Sequence, residues 1–116
     1  MDFEEAVSVH LRWKTRLRIA IDGISDELLD PNVICKDDQC DLGKWIHGEG
    51  RRAMSSKPEF GHVRTTHADF HVVAGNVLRK ALTGDKAGAS TMLDGEFYQA
   101  SSKVIQAITK CKAACK

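Results

Sequence analysis

Apolar residues recur at every third or fourth position along three long stretches of the chain, which is the period of an amphipathic α-helix. These stretches cover residues 2–29, 60–82 and 86–111. Asp30-Pro31-Asn32 is expected to end the first, because the residue before a proline disfavours helical dihedral angles, and Thr83-Gly84-Asp85 is expected to end the second. No segment alternates like a β-strand for a useful length. The chain is therefore predicted to be all-α.

The same pattern predicts where the helices end and how they pack. A single glycine weakens a helix without having to end it, so the first helix is expected to continue through Gly23. Residues 42–46 are expected to form a short helix that is ended by Gly48 and Gly50. These elements predict a four-helix bundle with a short extra helix, in a single domain over residues 1–116. The predicted apolar face of the first helix comprises Phe3, Val7, His10, Leu11, Leu17, Ile21, Ile24 and Leu28.

Composition and charge exclude several classes of protein. The chain has 17 basic and 16 acidic residues, and a net charge of +1 offers no electrostatic basis for binding nucleic acid or anionic lipid. No run of about 18 apolar residues is present, so membrane insertion is not expected. The acidic N-terminal sequence lacks the apolar core of a signal peptide. Four cysteines without such a signal favour metal or redox chemistry in the cytoplasm over a disulfide framework.

Three histidines and one cysteine form a candidate metal-binding set. His67 and His71 are four residues apart, so on a helix they lie on one face and can chelate one ion. Alone, His10 is typical of a satisfied core histidine, and Cys40, which precedes the short helix, is typical of a small buried residue. Together the four side chains offer a complete nitrogen and sulfur set for zinc. A closed set of this kind favours a structural or sensing site, since catalytic zinc keeps one position open.

The residues around this set form three spaced motifs. They are His-x-x-Trp at 10–13, Cys-x-Leu-Gly-x-Trp at 40–45 and His-x-x-x-His at 67–71. Gly43 suits a close backbone approach that would aim the cysteine sulfur inward. In this order the motifs resemble the chemoreceptor zinc-binding (CZB) domain over essentially the whole chain. The supporting residues of the first two motifs are Trp13, Leu42, Gly43 and Trp45.

The resemblance implies a cytosolic four-helix fold that binds one zinc ion per chain through His10, Cys40, His67 and His71. It further implies a homodimeric regulatory domain, and not an enzyme, in bacterial signalling proteins such as chemoreceptors and diguanylate cyclases. Members of the family sense zinc or oxidants such as hypochlorous acid. The chain contains no signalling or cyclase module, so it is expected to be either a free-standing member, with its output partner in trans, or a domain excised from a larger protein, with its partner in cis.

Cys40 is expected to be the responsive ligand. A thiolate bound to zinc is deprotonated, and the thiolate is the form that oxidants attack. Its oxidation to sulfenic acid would be reversible. Because the histidines are predicted on long helices and Cys40 on a short irregular segment, loss of the sulfur is expected to shift residues 40–47 without melting the bundle.

The remaining cysteines and polar residues have simpler interpretations. Cys35 is a candidate resolving thiol, although an ordinary loop cysteine is the plainer interpretation. Cys111 and Cys115 are expected at the fraying end of the last helix, with pairing to another chain as the alternative. His47 and His62 are expected to be solvated, His47 also being a candidate for orienting a ligand. The Asp69 side chain is expected to point into solvent, roughly opposite His67 and His71.

Three other functions compete with the sensor hypothesis. A purely structural zinc would use the same four ligands. A metalloenzyme would need an open coordination position and a nearby general base, and no His-Glu-x-x-His motif is present. A haemerythrin-like iron carrier would need more histidines and bridging carboxylates than occur around residues 67–71.

Overall fold

The computed structural model describes residues 1–24 and 27–114, and within them it contains helices and no β-strand. This confirms the all-α prediction. A π-helical turn joins the sixth helix to the seventh, so that the two form one interrupted rod. The elements are α1 (Phe3–Ile21), α2 (Pro31–Ile34), α3 (Asp41–His47), α4 (Glu49–Met54), α5 (Pro58–Leu82), α6 (Lys86–Met92), the π-turn (Leu93–Phe97) and α7 (Tyr98–Ala114).

The long helices pack side by side in an elongated bundle of 44 × 23 × 19 Å. Helix α5 packs against α1, α6 and α7, and α1 also packs against α7. The short helices occupy the remaining side, where α2 packs against α5 and α3 packs against α4. None of the helices in the described ranges is long and apolar enough to cross a membrane.

Each long helix buries one stripe of side chains in a common core. On α5 this stripe includes polar residues, because Thr66, His67 and His71 are buried among apolar neighbours. Full burial of a large apolar side chain stabilises a fold by about 1.5–3 kcal/mol. The apolar side chains of the stripes therefore provide most of the driving force for folding. The largest apolar side chains with at most 2% exposure are Leu17, Leu42, Ile46, Val63, Phe70, Val77, Leu78, Leu93, Phe97 and Ile108.

The first helix is shorter than predicted. Gly23 adopts a φ of 75°, a left-handed conformation that glycine reaches without steric strain. Its N–H donates to the Ala20 carbonyl and the Ile24 N–H donates to the Ile19 carbonyl, which closes the helix in a Schellman motif. The prediction that the helix continues through Gly23 is therefore wrong. Ile24 and Leu28 are 74% and 103% exposed and do not extend the apolar face, and Ser25 and Asp26 lie outside the described residues.

The middle segment is more helical than its sequence pattern indicates. Asp30 caps α2 by accepting a hydrogen bond from the Asn32 N–H, and Pro31 occupies the first turn, where a missing N–H costs nothing. Gly48 ends α3 as predicted, but Gly50 lies inside α4, so the predicted stop at Gly50 is wrong. A Cβ atom added at Gly50 would come within 2.9 Å of ring atoms of Trp45, so the contact leaves no room for a side chain at this position.

We predict that core packing on α5 can be measured with a matched pair of valines. Val77 is completely buried and Val72 is 49% exposed on the same helix. Val77→Ala should lower the free energy of unfolding by about 2 kcal/mol, because it removes two buried methyl groups. Val72→Ala should change it by less than about 0.5 kcal/mol. Urea denaturation followed by circular dichroism measures both values, and equal losses in the two variants would contradict the assigned core.

Candidate metal centre

The structure brings together the four residues that the sequence motifs identify. His10 lies on α1, His67 and His71 lie on successive turns of α5, and Cys40 immediately precedes α3. One ligand atom from each residue lies within 4.8 Å of the ligand atoms of the other three. The three histidines are buried and Cys40 is half-buried. The short helix α3 thus carries the cysteine at its N-cap, as expected.

The Nε2 atoms of the three imidazoles and the Cys40 sulfur face a common centre. The His67 Nε2 atom lies 3.1 Å from that of His10 and 3.0 Å from that of His71. The Cys40 Sγ atom lies 3.3 Å from the His67 Nε2, 3.6 Å from the His71 Nε2 and 4.0 Å from the His10 Nε2. No carboxylate belongs to this cluster among the described residues.

Backbone carbonyls determine which nitrogen of two of the rings is protonated. The His10 Nδ1 lies 2.7 Å from the Ala6 carbonyl oxygen, and the His71 Nδ1 lies 2.9 Å from the Ile34 carbonyl oxygen. Because a carbonyl only accepts hydrogen bonds, each Nδ1 carries the proton and each Nε2 presents a lone pair to the centre. Metal-binding histidines are commonly oriented in this way. The His67 Nδ1 is buried with no protein partner in the described part of the chain.

The donor set and its dimensions fit zinc. Bond lengths of about 2.0–2.1 Å to nitrogen and 2.3 Å to sulfur, arranged tetrahedrally, separate two nitrogens by about 3.4 Å and a nitrogen from sulfur by about 3.6 Å. The observed nitrogen–sulfur separations of 3.3–4.0 Å bracket the second value, and the observed nitrogen–nitrogen separations of 3.0 and 3.1 Å lie slightly below the first. Three imidazole nitrogens and one sulfur around a common centre are a typical donor set for zinc, so the arrangement favours a bound metal ion.

Burial keeps the histidines in the neutral form that binds metal. Desolvation lowers the pKa of His10 to about 4 and that of His67 to about 2, and it also lowers the pKa of His71. Repulsion from the other imidazoles of the cluster contributes to the low pKa of His67. Desolvation raises the pKa of the Cys40 thiol, although nearby backbone N–H groups oppose that shift. Without a metal ion, the cluster is therefore uncharged at neutral pH.

The Cys40 sulfur also caps a helix. It accepts a hydrogen bond of 3.4 Å from the Gly43 N–H in the first turn of α3. A Cβ atom added at Gly43 would overlap the backbone carbonyl of Asp37, so this position shows the close approach expected from the motif. Glycine thereby allows residues 37–40 to fold against α3 and hold the sulfur at the centre.

The two tryptophans pack around the site and do not belong to the cluster. Trp13 is buried, and the Arg16 guanidinium lies 3.8 Å from the centre of its ring. Trp45 makes edge-to-face contacts with Phe3 and Phe60, with ring centroids 5.4 Å and 5.8 Å away. Through these contacts Trp45 anchors α3 to α1 and α5, while Leu42 on α3 is buried in the core.

Two surface cavities reach Cys40 from different sides. One, of about 290 Å³, is also lined by Trp13, Arg16 and His71. The other, of about 310 Å³, is also lined by His10 and by acidic side chains at the start of α1. Cys40 therefore lies beside two cavities that open to solvent.

The other residues singled out from the sequence lie outside the cluster. His47 is exposed and pairs with Asp37 at 3.0 Å, so it does not orient a ligand. His62 and Asp69 are exposed, as predicted. Cys111 is completely buried in α7, so the prediction that it lies at a fraying helix end is wrong. Cys115 lies outside the described residues.

Sequence reasoning missed the groups that orient the histidine rings. The carbonyls of Ala6 and Ile34 hold His10 and His71, and a backbone carbonyl has no sequence signature. The first of these bonds spans one helical turn, but nothing in the sequence distinguishes it from any other four-residue spacing. The second joins residues 37 positions apart and could only be found from the fold.

Comparison with known proteins supports a zinc-binding role for the four clustered residues. The family model of the chemoreceptor zinc-binding domain matches residues 10–78, which is more than half of the chain and includes all four clustered residues. The chain belongs to the CZB family. No curated protein and no solved structure matches it significantly. The protein therefore contains a zinc-binding domain of the signalling class, with a regulatory character.

We predict that the metal-free CZB domain loses stability as the pH falls. The pKa of His10 is about 6.5 in an unfolded chain and about 4 in the fold, so the unfolded state takes up a proton first. The stabilising contribution is complete above pH 6.5 and is lost as the pH falls towards 4, by about 3 kcal/mol for this residue. Urea denaturation between pH 7.5 and 4 measures the loss.

A matched pair of variants assigns the pH effect. His10→Gln should make the stability profile less steep over this range, because it removes one of three histidines whose pKa is lowered by burial, whereas His62→Gln should leave it unchanged, because His62 is exposed. Identical profiles for the wild type and His10→Gln would contradict the assignment.

Proposed function

We propose that this CZB domain is a zinc-binding regulatory module that responds to zinc, to oxidants such as hypochlorous acid, or to both. One zinc ion per chain would be held by His10, Cys40, His67 and His71. The observation that carries the proposal is the convergence of three buried Nε2 atoms and one sulfur within 4.8 Å of one another. The His10 and His71 rings are already in the tautomer whose Nε2 atom can bind metal.

The position of Cys40 supports a responsive site rather than a rigid one. The histidines lie on helices of 19 and 25 residues, whereas Cys40 caps a helix of seven residues. Helix α3 packs chiefly against the short helix α4 and less against the long helices. Loss of the Cys40 sulfur as a ligand and cap would release the start of α3, while the long helices keep their own packing.

The chemistry of the sulfur supports oxidant sensing. A bound zinc ion would keep Cys40 deprotonated at neutral pH, despite the burial that raises the pKa of its thiol. The thiolate attacks hypochlorous acid with net transfer of OH⁺ to sulfur: thiolate and HOCl give sulfenic acid and chloride. Sulfenic acid is a weaker ligand than thiolate and can be reduced back by thiols. The two cavities beside Cys40 are large enough to admit a molecule of this size.

A structural zinc site is the main alternative. A closed set of four nitrogen and sulfur ligands is typical of zinc that only stabilises a fold. The half-buried state of Cys40 and its two cavities favour the sensor. A metalloenzyme or an iron carrier is less well supported, because the cluster contains no carboxylate to act as a base or a bridge.

We further propose that the domain acts as a homodimer on a bacterial chemoreceptor or diguanylate cyclase in the cytoplasm. The proposed dimer face is formed by α1 and α7, where Leu11 is 55% and Tyr98 is 59% exposed. The Lys14 ammonium lies 6.0 Å from the Tyr98 ring centre, so these two helices present one continuous surface.

We predict one zinc ion per chain in protein purified without added metal, as measured by elemental mass spectrometry. A stoichiometric dose of hypochlorous acid should release zinc from the wild type. Cys40→Ala should bind zinc at least about 10-fold more weakly, since it lacks one of four ligands, and should show no oxidant response. Cys35→Ala is the control and should keep both the bound zinc and the oxidant response, because its sulfur lies outside the cluster.

Two results would count against the sensor. Zinc retained after oxidation, with an unchanged helical spectrum, would indicate a structural site or a sensor of zinc alone. Oxidant-driven zinc release that persists in Cys40→Ala, reloaded with zinc at high concentration, would assign the response to another residue.

We predict a dimer with twice the chain mass of 12.8 kDa in light scattering. Leu11→Glu should shift the equilibrium towards monomer, because it places a charge in the proposed apolar interface. Val72→Glu, at a similarly exposed position on α5, should not. A monomer at high concentration, or equal effects of the two variants, would contradict this face.

A further inference from the structure

Helix α2 lies directly on helix α5 beside the metal centre. The contact is close because α5 has a glycine at the crossing point. A Cβ atom added at Gly75 would come within 2.9 Å of the Cys35 Cβ and 3.3 Å of its backbone. Real Cβ atoms essentially never approach other atoms as closely as 2.9 Å, so any side chain at Gly75 would push α2 away. Gly75 itself is buried in this contact.

This close packing places the Ile34 carbonyl oxygen next to the His71 ring. The Ile34 carbonyl belongs to the last turn of α2, where carbonyls have no partner within the helix. It accepts a buried hydrogen bond of 2.9 Å from the His71 Nδ1. The bond therefore serves two purposes, because it satisfies the end of α2 and it fixes the tautomer and orientation of His71.

An arginine on α5 also holds α2 in place, through hydrogen bonds. Arg79 lies two helical turns beyond His71, and its Nη2 donates to the Asn32 Oδ1 at 3.2 Å and to the Cys35 sulfur at 3.8 Å. Its Nη1 donates to the Asn76 Oδ1 at 3.1 Å, which holds the guanidinium in place. Arg79 thus contacts α2 near its start and just after its end. It lies one residue beyond the segment that matches the family model.

His71 differs from the other two histidines in what holds its ring. The His10 Nδ1 is hydrogen-bonded to the Ala6 carbonyl, one turn earlier in the same helix. This acceptor is therefore in place whenever α1 is folded. The His67 Nδ1 has no protein partner within the described ranges. The orientation of His71 instead depends on a separate element, α2, which is only four residues long.

We propose that α2 is a clamp that positions His71 for metal binding, and that Gly75 and Arg79 are positioning residues that dock this clamp on α5. The expected effect of the clamp on zinc affinity rests on the proposed zinc-binding function. The clamp itself is a property of the metal-free protein and can be tested without metal.

The first test compares two glycines of the same helix. Gly75→Ala should displace α2 and weaken zinc binding by about 10-fold to 100-fold, the usual effect of losing the partner of a metal-binding histidine. Gly61→Ala is the matched control, because a Cβ there meets nothing within 4 Å. Both variants replace a glycine of α5 by alanine, and only the one at Gly75 meets α2, so the loss of affinity in that variant alone reports the contact. Competition with a chromophoric chelator measures the affinity.

A second readout uses the metal-free protein. In the wild type, the His10 and His71 Nδ1–H protons should both be protected from exchange in nitrogen-15 NMR spectra. In Gly75→Ala the His71 signal should be lost while the His10 signal remains, because only His71 depends on α2. If wild-type protein binds no zinc, the proposed function fails, whereas this comparison still decides whether the clamp exists.

The arginine gives a graded test. Arg79→Met should weaken zinc binding by about 3-fold, less than Gly75→Ala, because its hydrogen bonds are exposed. Arg64→Met, on the exposed face of the same helix, should have no effect. The visible spectrum of the cobalt-substituted protein should change in Gly75→Ala and Arg79→Met, but not in the two controls.

Two results would overturn the proposal. One is a zinc affinity and cobalt spectrum in Gly75→Ala equal to those of Gly61→Ala. The other is the joint loss of the His10 and His71 NMR signals in Gly75→Ala, since that would show a general loss of structure and not the release of one ring.

Discussion

Desolvation of three imidazoles in the interior of a small bundle is the constraint on which the rest of this structure depends. A buried polar group is destabilising unless it finds a partner. His10 and His71 find carbonyl oxygens for their Nδ1 atoms, and the three Nε2 atoms face one another and Cys40. Phe70 packs its ring against both of these histidines, at centroid distances of 5.2 and 5.3 Å, and excludes water from that side. The site is therefore part of the core and not an addition to the surface.

The ligands differ in how firmly the fold holds them. His10 and His67 lie on long helices whose stripes are buried against each other, so their positions are as stable as the bundle. Cys40 depends on a short helix, and the orientation of His71 depends on another. Local opening of short elements requires less free energy than unfolding of the core. The side of the site formed by α2 and α3 can therefore rearrange while the opposite side stays in place, which is the division that a regulatory domain requires.

Periodicity predicted the long helices well because it reflects burial, and burial decides where they pack. It failed at Gly23, where the pattern continues but the backbone turns into a left-handed conformation and leaves Leu28 exposed. The four clustered residues could be identified from motif spacing, since each motif places its donor on a predictable element. The carbonyl of Ile34 and the docking role of Gly75 could not, because both depend on how α2 packs across the chain.

The π-turn at Leu93–Phe97 sets the rotational register between α6 and α7. A π-turn contains one residue more than an α-helical turn, so the residues after it are rotated about the helix axis relative to an uninterrupted α-helix. Leu93 and Phe97 both remain in the core, so the widened turn absorbs the extra residue locally and α7 keeps its buried face. Both α6 and α7 can therefore pack against α5, although the regular helix is interrupted between them.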